Sequence, residues 1–236
     1  MMLYTDMTKK ALKLSFEAHK DQVDKSGMPY VYHPFHLAEQ MQSESETVVA
    51  LLHDVVEDTE YTLDDIKEMG FSDEVIDALA LMTHDESVPY MDYVAKIKSN
   101  PIATAVKLAD LKHNSDLSRI DTVNAKAIKR VQKYIDAVRL LTGEDSVVYN
   151  LGFTCYFERY AYLKGEIKNG CLHLESTVYG DDCDSEKHYS FSREATVKLF
   201  SVLTLNEFIE LCRIKGLAGA EKLLSENDIT YESTAI

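Results

Sequence analysis

Glu46-Thr47-Val48-Val49-Ala50-Leu51-Leu52-His53-Asp54-Val55-Val56 is the stretch whose reading decides the fold. It is apolar on most sides when wound as a helix, which predicts a buried central helix rather than an amphipathic surface one. An adjacent His-Asp pair inside such a run is hard to explain structurally, because burying an unpaired carboxylate is expensive. The helix therefore carries both the core and a candidate site.

Helical spacing extends on both sides of it. Residues 8–19 repeat apolar positions after a candidate Thr8 cap, and Pro34, following His33, opens a second helix as its first residue. Thr62-Leu63-Asp64-Asp65 resembles a capping box for a short helix ending at Gly70, and Ser72 caps another running to about Met82. Further helices are expected within 88–98, from Asn100-Pro101 towards Leu117, and from Thr122 to Thr142, stopped by Gly143. Beyond that glycine the pattern changes. Residues 147–163 are rich in Val, Tyr and Phe, and Asn169-Gly170 between two apolar segments is a two-residue hairpin signal. A polar loop at 180–184 follows, then helices capped by Ser192 and Thr204, the second reaching Lys215. A helical piece at Ala220–Leu224 and an extended one at Ile229–Tyr231 complete the tail. The expected fold is mainly α, with an all-helical bundle in residues 1–145 and a small α+β domain in residues 146–236.

The composition sets limits on function. Hydrophobic residues at 45% with 28% charged suit a folded globular chain. A net charge of −15 argues against coating a nucleic-acid polymer or an anionic membrane, both of which need a basic face. Met1–Lys10 holds no apolar signal segment, no run of about 18 apolar residues occurs, and four widely spaced cysteines form no zinc spacing. A cytoplasmic location is expected.

The residues that carry chemistry are His33, His53, Asp54 and Asp110, each at the edge of a predicted helix. Two imidazoles with two carboxylates suit Mn²⁺, Fe²⁺, Zn²⁺ or Co²⁺ and leave positions open for water and phosphate oxygen. Glu57 lies four residues past His53 and Asp58 four past Asp54, one turn further on the same face. Negative charge is unfavourable at a helix C-terminus, which favours a functional reading: carboxylates there are placed to orient or deprotonate a water. Lys107 precedes Asp110 by three residues and Asn114 follows it by four, so both can face the same cleft. Lys25 and Ser26, upstream of His33, are candidate phosphate or base contacts.

Three segments carry a family resemblance: Lys25-Ser26-Gly27-Met28-Pro29-Tyr30-Val31-Tyr32-His33-Pro34, Ala50-Leu51-Leu52-His53-Asp54-Val55-Val56-Glu57-Asp58-Thr59, and Val106-Lys107-Leu108-Ala109-Asp110-Leu111-Lys112-His113-Asn114. In order and spacing, over roughly residues 5–142, the chain resembles the HD-superfamily hydrolase domain of the RelA/SpoT homologues, which remove the 3′-pyrophosphate of (p)ppGpp. The resemblance implies an HD-type bundle, Mn²⁺ or another divalent transition metal held by His33, His53, Asp54 and Asp110, and water activation by Glu57 and Asp58. It also implies a small nucleotide as partner, with Lys25, Ser26 and Asn114 beside it. The chain departs from the family where Asp24 takes an arginine position, Met28 a glutamate position, and Leu111-Lys112-His113-Asn114 stands for Arg-Leu-His-Asn; His84-Asp85 also replaces basic residues after Thr83. These differences fall on groups that read the nucleotide, so another phosphorylated nucleotide such as NADPH, or a non-catalytic nucleotide sensor, are the alternative readings. The tail resembles no named domain and is a candidate surface for homo-oligomer formation.

Overall fold

A computed structural model describes residues 4–144, 149–158, 161–178 and 185–235. The chain is mostly helical, with one antiparallel sheet towards its C-terminal end, and it divides into two compact units. One comprises residues 1–113 and 137–145, the other residues 114–136 and 146–236. No helix among the described residues is long and apolar enough to cross a membrane.

The first unit is built from α1 (Asp6–His19), α2 (Tyr32–Ala38), α3 (Glu44–Asp58), α4 (Leu63–Glu68), α5 (Asp73–Met82), α6 (Tyr90–Ile97) and α7 (Pro101–Asn114). Every residue of α3 from Thr47 to His53 is buried, which is what the unbroken apolar run requires. Its start is set by Ser43, whose hydroxyl accepts from the Glu46 N–H while the Glu46 carboxylate accepts from the Ser43 N–H, a reciprocal capping box. α4 has the same device in Thr62 and Asp65, and Gly70 beyond it takes a left-handed φ of 83°. The first helix begins earlier than its sequence suggests. Thr5 is the cap, its hydroxyl accepting from the Thr8 N–H at 3.1 Å, and Thr8 is buried inside the first turn. α2 likewise starts two residues ahead of Pro34, at Tyr32.

The second unit contains most of α8 (Ala125–Thr142), then β1 (Tyr149–Glu158), β2 (Ala161–Lys168), β3 (Cys171–Val178), β4 (Ser185–Ser190), α9 (Arg193–Val202), α10 (Leu205–Glu226) and β5 (Glu232–Ala235). The strands form one sheet in sequence order, each antiparallel to the next. Lys168 pairs with Cys171 across Asn169 and Gly170, both at positive φ (54° and 71°), as a two-residue primed turn demands. Alternation in β2 and β3 sends Leu163, Ile167, Leu172 and Leu174 into a core shared with Ile128, Val131, Leu199 and Phe208. The expected helix end at Lys215 reflects Gly216, whose non-helical backbone (φ 61°, ψ −167°) kinks α10 before it continues to Glu226. The polar loop expected at 180–184 lies outside the described residues.

Candidate metal centre

The centre lies in the first unit, where α2, α3 and α7 bring His33, the His53–Asp54 pair and Asp110 together. Nε2 of His33 is 3.5 Å from Oδ2 of Asp54 and 3.3 Å from Oδ1 of Asp110, and Nε2 of His53 is 3.1 Å from the same Asp54 oxygen. One donor atom from each of His33, His53 and Asp54 lies within 4.8 Å of the others. All this is nearly closed to solvent: His33, His53 and Asp110 are 5%, 3% and 6% exposed.

Hydrogen bonding decides which atoms face inward. Nδ1 of His53 lies 2.9 Å from the carbonyl of Ala50, one turn back in α3, so this nitrogen carries the proton and Nε2 carries the lone pair. That Nε2 is buried without a hydrogen-bond partner, opposite a carboxylate oxygen. Two electron-rich atoms facing each other at this depth call for a cation, either a proton or a metal ion. Burial opposes a charged imidazole, yet the Asp54 carboxylate outweighs it and lifts His53 to about 9. Burial likewise works against the Asp54 anion, and His53 and His33 overcome it, holding the group at about 2. Two imidazole nitrogens and an Asp54 oxygen around an orphaned lone pair fit a divalent ion, and Asp110 Oδ1 borders them 3.3 Å from His33 Nε2.

Asp110 is held from its other side. The Lys107 ammonium donates to Oδ2 at 2.9 Å and sits 5.5 Å from the centre of the Tyr93 ring. Burial pushes the Asp110 carboxyl up, but Lys107 and the two imidazoles keep it well below the usual carboxylate range. Glu57 and Asp58, at the exposed end of α3, go the other way: burial and then the Asp54 charge raise both.

The loop before α2 is closed by Asp24, whose Oδ1 accepts from the Ser26 N–H, the Ser26 hydroxyl and the Met28 N–H at 2.9, 2.6 and 3.0 Å. Ser26 therefore spends its hydroxyl proton within the turn, while Lys25 is exposed at its tip. Asn114, the last residue of α7, is counted with the second unit. Two contributors escape a reading by residue type. Tyr30 donates its hydroxyl to Asp54 Oδ2 at 2.6 Å, and His113 meets His33 nitrogen to nitrogen at 2.7 Å. Both lie inside motifs that the sequence singles out; spacing places His113 one turn beyond Asp110, whereas the reach of Tyr30 depends on the loop's path.

No protein-family model matches the chain. It is 36% identical over 137 residues to guanosine-3′,5′-bis(diphosphate) 3′-pyrophosphohydrolase MESH1 of Mus musculus, covering 51% of this chain and 75% of that protein. The Homo sapiens protein of the same description is 36% identical over 125 residues, covering 48% and 69%. A probable GTP pyrophosphokinase of Mycobacterium leprae is 32% identical over 121 residues, which span 46% of this chain and 15% of that much longer protein.

Proposed function

Because the chain belongs to the family of the guanosine-3′,5′-bis(diphosphate) 3′-pyrophosphohydrolases called MESH1, we propose that its first unit, an HD-type helical bundle, hydrolyses the 3′-pyrophosphate ester of (p)ppGpp to GDP or GTP and pyrophosphate. The observation that carries the reading is the buried His53 Nε2 facing Asp54, beside His33 and Asp110. These four residues would hold a divalent ion, for which Mn²⁺ is the proposed identity. When bound, the ion supplies Lewis acidity towards phosphoryl oxygens and makes a water nucleophilic at neutral pH.

The chain's own groups supply the rest. Ala50 fixes the tautomer of His53 through Nδ1, and Tyr30 fixes the plane of the Asp54 carboxylate. Glu57 and Asp58 take the proton of the attacking water. Their raised proton affinity makes them better bases than ordinary surface carboxylates. Water oxygen bonds to phosphorus as its proton passes to the carboxylate pair, the bond from phosphorus to the ribose 3′-oxygen breaks, and that oxygen leaves as the 3′-hydroxyl by taking up the proton the pair received. Lys25, Ser26 and Asn114 are proposed nucleotide contacts. Ser26 serves through its lone pairs, since its proton is given to Asp24.

Purified protein loaded with Mn²⁺ and incubated with ppGpp tests this, with pyrophosphate release as the readout. Release that Asp54→Ala and Glu57→Ala abolish is the expected result. A folded, metal-loaded protein that releases none overturns the assignment.

A further inference from the structure

His113 stands three residues after Asp110 on α7, on the same side of the helix. Its Nδ1 lies 2.7 Å from Nδ1 of His33, the ring centroids are 4.9 Å apart and the planes differ by 9°. The centroid separation is about one nitrogen–nitrogen hydrogen bond plus the two ring radii. The rings are therefore nearly coplanar and meet edge to edge, rather than stacking face on face. A ring N–H and a ring lone pair both lie in the imidazole plane, so this is the alignment of an N–H···N bond. His36 packs against the same ring, with centroids 4.4 Å apart.

One of the two nitrogens donates and the other accepts. The second nitrogen of His33, Nε2, faces Asp54 and Asp110. For Nε2 to offer a lone pair to a cation, the ring proton must stay on Nδ1, and His113 Nδ1 is then its acceptor. We propose that His113 is a positioning residue, accepting the Nδ1–H of His33 so that this ring is held in plane with Nε2 as its ligand nitrogen. This rests on the metal-site reading and extends it. His53 is served in the same way by the Ala50 carbonyl, so each imidazole of the centre has its own acceptor on the far nitrogen. At His33 the carbonyl three residues back, Tyr30, accepts the backbone N–H of His33 at 2.9 Å, and a side chain from α7 meets its Nδ1 instead.

Loss of such an acceptor typically costs about 10–100-fold in metal affinity. The test is a Mn²⁺ titration of the full chain, followed by electron paramagnetic resonance of the free ion, for wild type, His113→Leu and His113→Asn. Leucine keeps bulk and removes the acceptor, whereas asparagine places an amide oxygen close to where Nδ1 stood. The expected result is a loss of roughly 10–100-fold for His113→Leu and near wild-type affinity for His113→Asn. Metal-free melting curves report whether each variant folds. A folded His113→Leu that binds Mn²⁺ like wild type overturns the proposal, and so does His113→Asn binding as weakly as leucine. If the leucine variant fails to fold, the asparagine variant decides alone: wild-type affinity supports the proposal and a loss overturns it. Wild type that binds no Mn²⁺ removes the metal-site reading itself, a distinct outcome visible before any variant is compared.

Discussion

Replacing Lys107 by methionine separates two roles for this lysine, contact with nucleotide and support of Asp110. Its ammonium is 2.9 Å from Asp110 Oδ2, and the two side chains are only 13% and 8% exposed. Removing one partner of a buried pair costs about 3–5 kcal/mol, against about 0–1 kcal/mol for an exposed pair; His33 and His53 still face Asp110, which puts this loss at the lower end, about 3 kcal/mol. Methionine retains most of the aliphatic stem, so little packing is lost with the charge. For a unit of this size each kcal/mol moves the melting temperature by roughly 3–6 °C, so Lys107→Met should melt on the order of 10–20 °C lower in chelator at neutral pH. Adding Asp110→Asn removes the buried charge, and the double variant should recover part of that loss. Circular dichroism melts of the four proteins complete the cycle. A Lys107→Met shift below about 3 °C, with no coupling to Asp110, would refute the reasoning and return Lys107 to the nucleotide.

Ser43→Ala removes the hydroxyl half of the box that starts α3 and should cost about 1 kcal/mol in a urea titration; an unchanged midpoint would show that packing alone sets that end. In metal-free protein, His53 is raised to about 9, so its contribution is complete below the ordinary imidazole pKa near 6.5 and is lost as pH climbs through about 9. Melting temperature in chelator should fall across that window, and the slope should vanish in Asp54→Asn; a slope that persists contradicts the pairing. Glu57→Gln should lower the rate of pyrophosphate release by about 10²–10⁴ with metal affinity unchanged, while equal losses of both would make Glu57 a ligand instead of a base. A side chain at Gly165 would run into the Phe153 ring, so Gly165→Ala should destabilise the sheet by about 1–3 kcal/mol and Phe153→Ala should relieve the clash. An unchanged Gly165→Ala would mean the ring can move aside, and a loss without rescue would mean the clash is not its cause.

Local signals were readable wherever a feature is closed within a few residues. The run from Thr47 to His53 announces a helix buried on all sides, and Asn169-Gly170 announces its hairpin, because each depends on residues in contact along the chain. The His33, His53, Asp54 and Asp110 cluster was legible because chemistry that costs energy in a core stands out against apolar surroundings. Thr8 was the expected cap of the first helix, and only the hydrogen bond from its N–H to the Thr5 hydroxyl moves that role to Thr5. Gly216 shows the reverse case: the break is real, but the helix resumes on the far side because Cys212, Ala220 and Leu224 all reach the same core. The pairing of β5 with β4 joins residues about 45 positions apart and leaves no local trace beyond an extended tail. Tyr30 and His113 lie inside motifs the sequence singles out, but each acts on a side chain from another part of the chain, which residue type alone does not reveal.

The central claim is that His33, His53, Asp54 and Asp110 together hold one divalent ion. Titrating the protein with Mn²⁺ and counting bound ions per chain, for wild type and for His53→Ala and Asp110→Asn, tests it most directly. The account predicts one tightly bound ion in wild type and its loss in both variants. Undiminished binding in the variants, or no binding by folded wild type, would contradict it.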